Sequence, residues 1–262
     1  MKSKCLTTLL TGMLAIVMSF NVLAQQDSVK AEGSKKGFNF TVAANDTLKS
    51  AANPKGGFVG GITFTRFDLG FTRLVDNGSF SLSPVNDFLA YKEFKSSTVS
   101  FDVLDYGYRF NPNFKVYLSA GLDWTMLRLK NDITIKRNTQ PLDYESAGID
   151  FSKNRFSSFY VHVPLGIQFR TNENDRGKRF YFVVGPEVSF LINGKVKQIS
   201  KENGKQKFRD DYNFEPVRLG GTMRVGYGWV GFFGKYYFND MFDSGPQAGL
   251  KNMSFGITFG LN

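Results

Sequence analysis

The sequence predicts an all-β fold: an eight-stranded antiparallel up-and-down transmembrane β-barrel with a filled polar lumen. Three observations predict it. Eight stretches between Gly57 and Leu261 alternate apolar and polar residues with a period of two, the mark of a strand with two unlike faces. The apolar parity is large, aromatic and nearly free of charge, whereas the polar parity is rich in Gly, Ser, Thr and Tyr with isolated charges. The connections run long, short, long, short, long, short, long, as in an even-stranded barrel with both termini on one side. Composition agrees: 28 Phe, 11 Tyr and 27 Gly among 262 residues favour strands over helices.

Taken in order, residues 1–24 read as an export signal: a basic head at Lys2 and Lys4, an apolar run from Leu6 to Leu23, and short residues before a cut after Ala24. Thr, Ser, Gly and Asn interrupt the run and no basic stop-transfer cluster follows, which weakens a membrane-anchor reading. Cys5, the only cysteine, lies in the basic head, so disulfides and cysteine metal sites are excluded from the mature chain. Residues 25–56 are polar and without period, a flexible periplasmic tail with a short strand at most over Phe38–Val42. Within it Asp27-Ser28-Val29 and Asp46-Thr47-Leu48 match an Asp-Ser/Thr-apolar acceptor that some Gram-negative bacteria O-glycosylate. Such tripeptides are frequent by chance, and a plain polar tail is the default reading.

The barrel is expected over residues 57–262. GGFVGGITFTRFDLGF opens it and shifts parity near Thr65–Arg66; STVSFDVLDYGYRF shifts from Val103 to Leu104. A one-residue slip that restores alternation predicts a β-bulge in each. NFKVYLSAGLDWTMLRL places Phe114, Val116, Leu118, Leu122 and Trp124 on one face, with Lys115, Tyr117, Ser119 and Asp123 on the other. FSSFYVHVPLGIQFR, RFYFVVGPEVSFLI, EPVRLGGTMRVGYG, WVGFFGKYYF and NMSFGITFGLN repeat the pattern. Pro164 and Pro186 fall at nearly one height on adjacent strands, which predicts a shared bulge or thin spot beside Gly166 and Gly185.

Period two alone does not say which face meets lipid. The polar parity has too little Lys and Glu for a water-facing surface. A cation on the lipid face at mid-depth costs about 2–4 kcal/mol, and the charges share one parity, so the apolar face looks outward. Eight strands enclose a lumen that side chains fill. Asp102, Lys115, Asp123, His162, Glu187, Arg218, Arg224 and Lys235 are therefore expected to form an inward polar network, with partners that sequence alone leaves open. A soluble lipocalin-like barrel is the alternative.

Gly226-Tyr227-Gly228-Trp229-Val230-Gly231 formally matches a dinucleotide fingerprint, yet alternation continues on both sides and no helix N-terminus follows to hold a phosphate. A tight hairpin turn is the reading instead. His162 is the only histidine; on the lumen side it cannot reach a lipid acyl chain, as a barrel lipid hydrolase requires. No metal set is expected around it, and no cofactor. The segment GKVKQISKENGKQKFRDDYNF is read as a long extracellular loop. It carries Lys195, Lys197, Lys201, Lys205, Lys207 and Arg209 ahead of Asp210-Asp211. With a net charge of +10 and an exported chain, lipopolysaccharide or another surface polyanion fits better than nucleic acid, for which no motif appears.

VHVPLGIQFRTN, FVVGPEVSFLINGKVK, RDDYNFEPVRLGGTMRVGYG and MSFGITFGL resemble the PorT-like outer-membrane β-barrel family over about Gly57–Leu261. The resemblance implies an outer-membrane barrel, and the family's namesake serves a protein-secretion apparatus. The last strand also resembles the insertion signal read by the barrel-assembly machinery, though it ends Phe259-Gly260-Leu261-Asn262 without a terminal aromatic. The resulting expectation is a non-enzymatic outer-membrane protein with a structural or interaction role, as secretion accessory or surface-polyanion binder. A small-solute channel and a lipid-modifying enzyme are the alternatives.

Overall fold

The computed structural model describes residues 56–260, apart from 244 and the side chains of 63 and 64. The export signal, nearly all of the tail with Ser28 and Thr47, the strand at Phe38–Val42, and Leu261 lie outside the described residues.

Eleven strands form (β1 Gly57–Asp76, β2 Ser97–Asn111, β3 Phe114–Arg128, β4 Ile133–Ile135, β5 Tyr144–Ser146, β6 Lys153–Arg170, β7 Phe180–Ser200, β8 Gly204–Asp210, β9 Val217–Tyr227, β10 Val230–Tyr237, β11 Leu250–Gly260). The main sheet runs β6-β3-β2-β1-β11-β10-β9-β7-β8, and β6 also pairs with β7. That pairing closes a ring of eight antiparallel wall strands and removes every edge from it. β8 stands outside the ring as a hairpin on the far half of β7, and β4–β5 is a separate hairpin in the β3–β6 connection. The three connections at one end are short, two of them tight turns at 112–113 and 228–229 and the third residues 171–179; the four at the other end are long. The 226–231 glycines sit in this wall: Tyr227 pairs with Val230 across a turn in which Gly228 takes φ +61°, a conformation that favours glycine.

The faces divide as the alternation requires. Phe232, Leu118 and Met223 point outward and are at least half exposed, while Arg224 on the same strand as Met223 is 1% exposed. A surface this apolar suits hydrocarbon. Two aromatic girdles bound it. At the short-turn end Phe110, Phe114 and Phe169 follow one another at 5.2 and 5.1 Å, with Phe180 against Tyr227 and Trp229 against Phe259. Near the long-loop end Phe101, Trp124 and Phe159 stack at 5.5 and 4.5 Å. From Phe114 to Trp124 β3 climbs ten residues, about 33 Å of strand, or about 25 Å at a tilt of about 40°. That is the height of a membrane band.

Both predicted slips exist. The β1–β2 register shifts between Ile62 and Arg66, and the β2–β3 register between Asp102 and Leu104, leaving Val103 as the extra residue. The proline prediction needs correcting in part. β6–β7 pairing runs to Pro164–Glu187 and resumes at Ile167–Val184 in the same register, so there is no bulge there; the slip in this pair lies at Phe159/Tyr160. The gap nevertheless leaves Leu165 and Gly166 unbridged to Pro186 and Gly185, because a proline cannot donate to the ladder. Amide hydrogen exchange at Leu165, Gly166 and Gly185 is expected to outpace that of Val161 and Val188. Equal protection would show the wall to be intact at this spot.

The main departure from the sequence reading is the long-loop end. Gly194–Asp210 is not a loop but the β7–β8 hairpin, with Lys195 opposite Arg209 and Lys197 opposite Lys207. Below the loops the lumen is not polar throughout. Leu74, Leu127, Leu129, Phe156, Leu191 and Val196 are inward positions on the wall, and Phe88, Leu89, Ile135, Tyr212, Phe214 and Phe242 from the connections pack onto them as one buried apolar cluster. Bridges Tyr91–Leu129 and Phe214–Phe242 tie neighbouring connections together. Asp76 Oδ2 accepts from Ser83 N, Ser83 Oγ and Asn86 Nδ2, which folds the first connection back over the mouth.

Candidate functional site

Two features offer chemistry: the charged mid-lumen and the basic hairpin. In the lumen, Lys235 comes from β10, yet its ammonium reaches across to the opposite wall. Nζ lies 3.1 Å from Ser100 Oγ on β2, 3.1 Å from Asp123 Oδ2 on β3 and 3.5 Å from Glu187 Oε2 on β7. His162 of β6 is fully buried, with Nδ1 3.4 Å from both Lys235 Nζ and Glu187 Oε2. Asp102 Oδ1 lies 3.1 Å from His162 Nε2, an electrostatic contact without hydrogen-bond alignment. Tyr237 donates its hydroxyl to Glu187 Oε1 at 2.8 Å. No Cβ would fit at position 121, where it would meet His162 Nε2 at 2.4 Å and Phe101 O at 2.2 Å, so glycine makes the room the imidazole uses.

Deeper toward the short-turn end, Arg224 grips Asp68 through Nη2–Oδ2 at 2.7 Å and Nε–Oδ1 at 3.5 Å. Lys115 pairs with Asp105 at 2.8 Å, and Arg66 donates to the Tyr117 hydroxyl. Arg218 is fully buried without an aligned hydrogen bond; its guanidinium lies between the rings of Tyr160 and Tyr237, 3.6 and 4.0 Å from their centroids. Such a sandwich compensates a desolvated cation through the ring quadrupoles.

Of the eight residues expected inside from sequence, Asp102, Asp123, His162, Glu187, Arg218, Arg224 and Lys235 are buried and Lys115 is partly buried beside Asp105. Three members were missed. Asp105 follows the parity shift at Leu104 and was legible by the same rule; Arg66 and Asp68 lie beyond the β1 slip, where Gly70 and Thr72 mark the inward parity. Asp68, Asp102, Asp105, Asp123 and Glu187 share this interior with Arg66, Lys115, Arg218, Arg224 and Lys235. Sequence spacing showed no carboxylate set around His162; the barrel brings donor atoms of Asp123, His162 and Glu187 within 4.8 Å of one another. Lys235 Nζ already stands among them and supplies the positive charge that set attracts.

On the hairpin, Lys195, Lys197, Lys205, Lys207 and Arg209 share the face that continues the outer wall, and Lys201 occupies the exposed turn. None of these cations makes an ion pair among the described residues. Burial and the neighbouring Lys205, Arg155 and Lys207 cations push the Lys197 amine, which lies beyond the aromatic girdle, below the usual lysine range.

Residues 12–243 match the family described as outer membrane protein beta-barrel domain. No curated protein matches. Solved structures similar to this chain include Ail, the attachment invasion locus protein of Yersinia pestis, in complex with the heparin analogue sucrose octasulfate, at 13% identity over 78% of this chain and 98% of that one, with a TM-score of 0.29. A second Ail structure aligns at 14% identity over 75% and 95%, with a TM-score of 0.27. The closed eight-strand ring, its apolar outer band and the match over most of its length agree: the chain belongs to the outer membrane protein beta-barrel domain family.

Proposed function

We propose that this chain is a non-enzymatic structural or interaction protein of the outer membrane that acts through its outer surface, and that the β7–β8 hairpin binds surface polyanions. The observation that carries this reading is the concentration of Lys195, Lys197, Lys201, Lys205, Lys207 and Arg209 on one hairpin with no carboxylate partner. The interior supports it: among the described residues, ion pairs occupy mid-lumen and an apolar plug covers them. His162 is buried away from lipid, which weighs against the lipid-modifying alternative.

By the rule that short turns are periplasmic, the long-loop end faces outside and the termini face the periplasm. Cleavage after Ala24, insertion by the barrel-assembly machinery, a PorT-like place in the family and a secretion-accessory role belong to the same proposal. Binding of the purified barrel to a soluble sulfated polysaccharide is expected to weaken steeply with salt. The Lys195→Gln/Lys197→Gln/Lys201→Gln/Lys205→Gln variant should lower affinity at least about tenfold, since each exposed cation contributes on the order of 1 kcal/mol near a polyanion. Salt-insensitive binding, or equal binding by the variant, would overturn the reading.

A further inference from the structure

The register places the hairpin cations at a particular height. Trp124, Phe159 and Asn193 form one row across β3, β6 and β7. The next row outward is Met126, Ser157, Lys195 and Arg209, and the one beyond is Arg128, Arg155, Lys197 and Lys207. Successive rows on one face are about 7 Å apart and neighbouring strands about 5 Å apart. Lys195, Lys197, Lys207 and Arg209 therefore stand at the corners of a rectangle about 5 by 7 Å on β7 and β8, one and two rows outward of the stacked Trp124–Phe159 pair on the adjoining β3 and β6.

The β7 slip at Phe159/Tyr160 brings the lysines onto this face. Below the slip the outward residues of β7 are even-numbered, and above it they are odd-numbered. Asp210 follows Arg209 and so points to the other side of β8, where its Oδ2 accepts from Asn138 N at 2.6 Å. A groove of about 380 Å³ runs between the two chemistries, lined by Trp124, Met126 and Phe159 at one end and by Arg155, Lys195, Lys197, Lys207 and Arg209 at the other. An aromatic row marks the level where acyl chains meet headgroups. Cations one and two rows above it sit where a phosphate attached to those chains would lie.

We infer that this groove is a site for a phosphorylated lipid of the outer leaflet, of lipid A type, with its phosphates on Lys195, Lys197, Lys207 and Arg209 and an acyl chain against Trp124 and Phe159. The inference rests on the outward orientation of the long-loop end proposed above, and it goes further by naming an amphiphile instead of a soluble polyanion. The apolar floor selects it, because rings at the level where acyl chains begin meet hydrocarbon, which an amphiphile brings and a water-soluble polysaccharide does not. Arg155, whose Nη1 reaches Met126 Sδ at 3.4 Å, spans the two halves.

Trp124 reports directly on the groove, since the only other tryptophan, Trp229, lies in the turn at the opposite end. The full chain carrying Trp229→Phe is placed in phosphatidylcholine nanodiscs doped with bisphosphorylated lipid A bearing brominated acyl chains. Trp124 quenching is expected to saturate at low mole fraction. In the Lys195→Gln/Lys197→Gln/Lys207→Gln/Arg209→Gln variant, or with dephosphorylated brominated lipid A, it should require at least about tenfold more lipid. A charge-matched control, Lys92→Gln/Lys95→Gln/Lys130→Gln/Lys178→Gln, takes its cations from outside the hairpin and should behave as the parent, and retained heat-modifiable migration verifies that each variant is folded. Equal quenching by phosphorylated and dephosphorylated lipid, or by parent and groove variant, overturns the site. If a soluble sulfated polysaccharide binds while lipid A quenches no better than its dephosphorylated form, the lipid site falls and the polyanion reading stands. If neither binds, both fall.

Discussion

Replacing Lys235 with methionine is expected to lower the stability of the folded barrel by about 3–5 kcal/mol, the cost of leaving buried carboxylates without their cation. The size follows from position. Lys235 is bonded in the wall only to its neighbours β9 and β11, opposite Thr222 and Ser254, but its ammonium fastens β10 across the lumen to β2, β3 and β7. Methionine preserves most of the volume, so the loss isolates the charge. Without it Asp123 and Glu187 face each other and the buried His162 side chain with no ammonium between them. Urea unfolding in lipid vesicles, followed by tryptophan fluorescence, measures the change. Lys235→Met/Asp123→Asn should be more stable than Lys235→Met alone, because it removes one orphaned carboxylate. A single variant within about 1 kcal/mol of the parent would mean that water, not Lys235, solvates these carboxylates.

The wall was legible in the sequence because period two is a local signal and lipid makes it strict. Met223 and Arg224 stand side by side and one slip would exchange lipid for lumen, so the chain cannot be ambiguous about parity. The slips at Thr65–Arg66 and Val103 were legible for the same reason: restored alternation leaves a visible step. Pairings inside the lumen were not, since Lys235 and Asp123 are 112 residues apart and meet only when the ring closes. The hairpin was missed as structure because Lys195 to Arg209 reads as charge, and a strand beyond the membrane no longer needs an apolar outer face. The polar-lumen expectation failed at the long-loop end for a related cause. Once the wall rises past the membrane, inward positions such as Leu127, Phe156 and Leu191 serve an ordinary protein core. Both faces of the wall there change chemistry together, outward positions gaining cations while inward ones turn apolar. Within the spanning part, parity assigns the face. Beyond it, parity still holds, but what each face prefers is exchanged.

That exchange makes Phe156 the critical residue of the plug. It is fully buried on β6, with rings of Phe214 at 4.8 Å, Tyr212 at 5.4 Å and Phe242 at 6.3 Å. These come from two different connections, the one after β8 and the one after β10, and their bridge Phe214–Phe242 closes over the ring. Truncating a buried phenylalanine typically costs about 3–5 kcal/mol. Here the loss should fall on the plug, because wall strands keep their ladders and the mid-lumen network is untouched. At about 1.4 kcal/mol per factor of ten, local opening should become about 10²- to 4 × 10³-fold more frequent, on the order expected for a cooperative unit losing one anchor. Limited proteolysis of Phe156→Ala should therefore cut within 129–152 and 201–216 far faster than in the parent, while a membrane-protected core survives. Planar-bilayer recordings of the same variant should stay silent, since Arg224–Asp68 and the Lys235 contacts still fill the lumen below. Conductance on removing this single ring would locate the barrier in the plug and reopen the channel reading. Unchanged proteolysis would show that the connections are held by their hydrogen bonds, such as Asn213 Nδ2 donating to Thr139 O at 2.6 Å, and not by the aromatic cluster.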